Sequence, residues 1–186
     1  MSREKQTQAG AGSPSGQECP QLVRRAAAEA SEATFRHPWT PRSELRGAAH
    51  SRLVGLERAG VSLARLEPGR ESFASHLHHR EEEWIYVLCG RGVARIDGTG
   101  YEVEAGDFIG FPTPSVPHLM SNPFEEELVY LMGGENLEYE IADFPELDRR
   151  MLRRGDTIEI YRLSAGEPFP AAPSARPVDD TDGAEG

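Results

Sequence analysis

The stretch that decides the fold is Ser75-His76-Leu77-His78-His79-Arg80-Glu81-Glu82-Glu83-Trp84-Ile85-Tyr86-Val87-Leu88, three imidazoles and three carboxylates followed at once by an apolar β-type run. Side chains two apart on a strand share a face, so His76 and His78 present both rings to one side while Leu77 faces the other. Glu83 opens the next run and shares parity with Ile85 and Val87, which turns its carboxylate inward. A buried carboxylate needs a cation or strong donors, and a metal held by neighbouring imidazoles supplies one. Trp84 to Leu88 reads as a strand buried on both faces. His79, of the opposite parity, is expected at the surface or behind the ligands, and Glu81 and Glu82 as solvated charges of the turn.

Downstream, His118 in Val116-Pro117-His118 opens another short run and brings a third imidazole from a distant part of the chain. A single histidine on a strand is more often a hydrogen-bonded core or surface residue than a ligand. Four of the six histidines concentrated in two patches reverse that judgement. Three nitrogens and one oxygen suit one divalent transition metal, Fe(II), Mn(II), Zn(II), Ni(II), Co(II) or Cu(II), and leave positions open for water or substrate.

The runs around these patches are short, apolar or alternating, and separated by Gly, Pro and Asp: Val61 to Leu66, Val93 to Ile96, Tyr101 to Glu104, Phe108 to Phe111, His118 to Ser121, Leu128 to Met132 and Ile158 to Leu163. Asp97-Gly98 between two alternating runs predicts a hairpin, Ala105-Gly106-Asp107 a second turn, and Asn122-Pro123 a strand end. Many short strands without a βαβ rhythm make the chain all-β, a sandwich or barrel. One helix is expected over Phe144 to Leu152, with Pro145 at its first position. No motif recurs, so the barrel is not internally duplicated.

These residues resemble the cupins. His76-x-His78-x4-Glu83-x6-Gly90, preceded by Gly69, looks like their first motif, and Gly106-Asp107-x4-Pro112 leading to His118-x3-Asn122 like their second. The resemblance runs from about Arg52 to Gly133 and is closest to small single-domain bacterial members. Gly69 lies one residue further from His76 than usual, and Pro112-Thr113-Pro114 stands where Pro-x-Gly is common, both in turns that tolerate change. The resemblance implies a double-stranded β-helix, the cupin jelly-roll barrel, a homodimer, and His76, His78, Glu83 and His118 as metal ligands. Cys89 stands where a polar residue is frequent and reads as a small buried hydrophobe.

The chain has 186 residues, 38% of them hydrophobic, enough for one domain with a core. Residues 1–34 read as a disordered, Gly-, Ser- and Gln-rich leader with a short helix near its end, over Gln21 to Ala33. Residues 35–164 read as the cupin domain, and 165–186 as a disordered tail rich in Pro and acid. A net charge of −11 argues against nucleic acid as partner. Two cysteines give no disulfide framework, and the absence of a signal-like or ~20-residue apolar segment leads us to expect a cytoplasmic protein with no membrane association.

The function expected first is that of a metal-dependent enzyme on a small organic molecule, a dioxygenase-type oxidoreductase favoured. Ile85, Val87 and Met120, joined by Phe73, Phe111 and Tyr130, would make an apolar pocket suited to an aromatic, enol or diketone-like substrate. Tyr130 and Tyr86 are the candidate proton donors. The alternative is a non-catalytic small-molecule-binding module, since no general acid or base stands out beyond the ligands. A sugar or polyol isomerase or epimerase comes third, because it calls for convergent cations and only Arg65, Arg95 and Arg162 lie in the strand runs.

Overall fold

The computed structural model describes residues 19–168. The leader and tail expected at the two ends lie largely outside the described residues. A short helix, α1 (Arg25–Ala30), leads into β1 (Ala33–Arg36) and β2 (Glu44–Ala48); a single turn, α2 (His50–Leu53), precedes β3 (Ala59–Leu66). Then come β4 (Leu77–His78), β5 (Glu83–Cys89), β6 (Arg91–Ile96), β7 (Thr99–Glu104), β8 (Phe108–Phe111), β9 (His118–Ser121) and β10 (Leu128–Glu135). The chain closes with β11 (Tyr139–Phe144), β12 (Arg149–Arg154) and β13 (Thr157–Arg162).

These strands form a six-stranded sheet in the order β1-β2-β3-β10-β5-β8, a three-stranded sheet β7-β6-β9 and a four-stranded sheet β13-β12-β11-β4. The two smaller sheets meet where His76 and His118 exchange main-chain hydrogen bonds of 3.2 and 2.9 Å. The result is a jelly-roll barrel, as the strand punctuation led us to expect. Its core packs Leu66, Ile85, Val87, Leu128 and Tyr130 of the large sheet against Ala94, Val103 and Met120 of the three-stranded one. A second cluster, Ala74, Ala142 and Phe144 with Trp39 and Met151, fills the end closed by the four-stranded sheet.

Asp97 and Gly98 both have positive φ, 50° and 77°, the two-residue turn whose twist matches its flanking strands, and Ile96 pairs with Thr99 across it. β9 stops at Ser121, where the buried Asn122 takes over: its amide donates to the carbonyls of Leu66 and Glu126.

Three expectations fail. Phe144 to Leu152 is not a helix: one 3-10 turn (Pro145–Leu147) ends at Asp148 in the left-handed region, and Arg149–Arg154 is a strand. The Leu147 to Met151 interval imitates a helical period, but pairing with β11 decides the conformation. β5 is buried on one face only, because Tyr86 and Leu88 point outward with Phe108. Cys89 is exposed although it shares the parity of the buried Ile85 and Val87, because it ends the strand where the register with β10 shifts.

Candidate metal centre

Three pairings carry the four candidate ligands to one point. His76 and His118 sit opposite each other in their two-bond bridge. His78, on β4, lies across from Ala142 of β11, and its N–H donates to the Ser115 hydroxyl at 2.7 Å. Glu83 begins β5 between Gly134 of β10 and Phe111 of β8. One donor atom from each of His76, His78, Glu83 and His118 falls within 4.8 Å of every other.

The orientation of each ring is fixed by its second nitrogen. Nδ1–H of His76 donates to the Ala74 carbonyl at 2.8 Å, and that of His118 to the Val116 carbonyl at 2.8 Å. His78 Nδ1 lies 3.3 Å from Glu140 Oε1. A carbonyl can only accept, so His76 and His118 carry hydrogen on Nδ1 and turn an Nε2 lone pair toward the centre; a donor at His78 Nδ1 gives that ring the same sense. Nε2 of His118 lies 2.9 Å and that of His78 3.5 Å from Glu83 Oε2. Lone pairs facing a carboxylate oxygen at that range repel unless a proton or a cation lies between them, and this donor set fits a first-row metal ion.

The electrostatics agree. Burial pushes His76 down to about 4, a neutral ring at pH 7. Burial also opposes ionisation of Glu83, but the imidazoles of His118 and His78 that face it prevail and hold its carboxyl well below the usual range. At His78 burial is outweighed by Glu83 and Glu140, which raise its pKa.

The surroundings hold residues that sequence reasoning missed. Glu140 is fully buried; its Oε1 accepts from the main-chain N–H of His79 at 3.0 Å as well as facing His78, and its Oε2 has no partner among the described residues. Glu81, read as a solvated turn charge, is buried, ion-paired with Arg153 of β12 and accepting the N–H of Leu137 at 2.6 Å. Its partner lies too far along the chain to be read locally. Glu82 is exposed, as expected, and His79 points away from the centre to Asp143, at 2.9 Å.

The centre opens into a cavity of about 370 Å³. Its walls include Phe35, His37, Phe73, Met132, Phe144 and Met151, with Glu82 and Glu135 near the exposed rim, and no lysine or arginine among the described residues lines it. Gly133 makes room for the Trp84 indole, with which a Cβ there would collide. Tyr130 lies elsewhere, in a smaller adjoining cavity shared with His76, Glu83 and His118; it is fully buried, its hydroxyl has no partner among the described residues, and burial raises its pKa. Tyr86 is on the outer face, 40% exposed, and lines neither cavity. Arg65 is paired with Glu32 and Glu127, Arg95 lines a different cavity and Arg162 is exposed, so none of the three meets the centre.

Residues 62–134 match a family model described as a cupin domain. A 47-residue segment is 43% identical to an uncharacterized protein of Methanocaldococcus jannaschii, covering 25% of this chain and 37% of that protein's length. Among solved structures, a proposed sugar phosphate isomerase from Acidithiobacillus ferrooxidans is 29% identical over 82% of this chain and 98% of its own, with a TM-score of 0.75. A sugar phosphate isomerase of the cupin superfamily from Silicibacter pomeroyi is 26% identical over 68% of this chain and 81% of its own, with a TM-score of 0.62. No helix among the described residues is long and apolar enough to cross a membrane.

Proposed function

Because this chain is a small cupin-superfamily protein, we propose that it is a metal-dependent enzyme acting on a small organic molecule by a dioxygenase-type oxidation, with His76, His78, Glu83 and His118 holding one divalent transition ion. The observation that carries this is the placement of three oriented imidazoles and a carboxylate at the base of a cavity with aromatic and thioether walls and, among the described residues, no lysine or arginine. A bound ion would supply Lewis-acid polarisation of a substrate oxygen and, if redox-active, a route for electrons to O2.

The chain's own residues do the rest. Phe35, Phe73, Phe144 and Met132 exclude water and offer an apolar bed to an aromatic, enol or diketone-like body. Burial keeps His76 neutral and so available as a ligand. A cytoplasmic homodimer completes this reading, in keeping with two free, exposed thiols at Cys19 and Cys89.

The names of the two solved structures favour a second reading, a sugar phosphate isomerase. It ranks below the first because a phosphate normally draws arginine or lysine, and among the described residues the cavity has neither. Elemental analysis of the purified protein and of a His76→Ala/His78→Ala variant comes first, then oxygen uptake with diketones and catechols and aldose–ketose conversion of phosphorylated sugars. Stoichiometric metal, lost in the variant, with oxygen uptake supports the oxidase. Isomerisation without oxygen uptake moves the assignment to the second reading, and metal without turnover to a binding module. A protein that takes up no metal overturns all metal-dependent readings.

A further inference from the structure

One imidazole of the cavity wall stands outside the ligand set. His37 follows β1, and its main-chain N–H donates to the Ser43 carbonyl at 3.0 Å. Ser43 is 1% exposed and its hydroxyl donates to the Ser72 carbonyl at 2.8 Å, so the position of His37 is tied to the core. Its ring meets Phe35 and Trp39 edge-on, with centroids 6.0 and 5.1 Å away. Phe144 lies 6.0 Å from it on one side and stacks on His76 at 5.7 Å on the other, which sets His37 one ring beyond the metal centre.

The hydrogen bonding of His37 is the reverse of that at the ligands. Its Nδ1 accepts the N–H of Trp39 at 3.3 Å, which requires a lone pair there and puts the proton of a neutral ring on Nε2. Nε2 has no protein partner among the described residues, and burial lowers the ring's pKa, so the neutral form persists at pH 7. A neutral imidazole with hydrogen on the free nitrogen is a donor and not a base. Set in an apolar wall, such a donor costs little reorganisation when negative charge appears on a nearby oxygen. The exposed carboxylates of Glu82 and Glu135 can only accept, and the Ser62 hydroxyl is the other neutral donor of the lining.

We propose that His37 contacts the substrate, its Nε2–H donating a hydrogen bond to a carbonyl or enolate oxygen of the molecule seated above the metal centre. The assignment rests on the cavity being the substrate site and narrows the substrate class to molecules with such an oxygen beside an apolar body.

The test uses the full chain labelled with ¹⁵N-histidine, loaded with redox-silent Zn(II) and titrated with 2,4-pentanedione. Long-range proton–nitrogen spectra should place the His37 proton on Nε2 before any addition and show its resonances moving on saturation. His37→Phe, which keeps a ring against Phe35 and Trp39, should weaken pentanedione binding about tenfold while leaving zinc stoichiometry unchanged, and His37→Gln should restore part of the loss. A proton on Nδ1, unmoved His37 resonances at saturation, wild-type affinity in His37→Phe, or no binding of pentanedione to the zinc form each overturns the proposal. Failure of the metal reading shows separately, as wild-type protein without zinc; the tautomer and the His37→Phe affinity are then read in the metal-free protein, with the same outcomes deciding.

Discussion

Each candidate ligand imidazole spends one nitrogen on its own support and leaves the other for a metal ion. His76→Ala, His78→Ala and His118→Ala should each lower bound metal strongly in elemental analysis, whereas His79→Ala should not, because its ring is committed to Asp143. Equal losses at all four would refute the facing of these side chains. Glu140 supports His78 from behind, so Glu140→Gln should weaken metal affinity about 10- to 100-fold in a competition assay while the circular dichroism spectrum stays unchanged. The clustering of the four candidate ligands was legible because alternation along a strand fixes which side chains share a face. Glu140 and His37 were not: one is an acid among several in a polar run with Glu135 and Glu138, the other a lone histidine before any recognised strand.

At the level of elements, the first motif is buttressed by strands that local sequence does not announce. Arg149–Arg154 holds four arginines and reads as surface, yet Arg153 neutralises the buried Glu81 and Arg150 grips Asp143 through both nitrogens, at 2.6 and 2.7 Å. Arg150 is the main reason the Asp143 carboxyl sits below its usual pKa, with burial opposing and His79 assisting. A depressed carboxyl stabilises the fold above its unfolded pKa, and that contribution disappears as pH falls through the folded value. Asp143→Asn should therefore cost about 1–3 kcal/mol in urea unfolding at pH 7. The gap should begin to close below about pH 4, where the unfolded carboxyl takes up its proton. A gap that widens on acidification would contradict the pairing. Strands with alternating apolar residues, such as Val93 to Ile96, were readable; β11 and β12 were not, since charged residues interrupt both and their conformation follows from pairing with each other, with β4 and with β13.

Across the whole molecule, the candidate ligands come from two stretches of chain and from all three sheets, so an ion bound by all four would bridge them. Binding to the folded form alone should raise stability by about 2.7 kcal/mol at roughly a hundredfold excess over Kd, seen as a Tm that climbs with the logarithm of metal concentration. A Tm indifferent to metal would mean that the site does not close in solution. The barrel as a class was readable because turn residues punctuate it so densely. Little of the cavity was readable: of the expected Ile85, Val87, Met120, Phe73, Phe111 and Tyr130 only Phe73 lines it, the other five packing in the core, while Phe35, His37, Phe144 and Met151 reach it from either end of the chain. The family-matching stretch 62–134 thus contributes all four candidate ligands, while flanking arms furnish much of the wall. Mutation of Phe35 or Met151 in those arms can retune what fits the cavity while leaving the four candidate ligands in place, so two lineages could keep one centre and differ in what it admits.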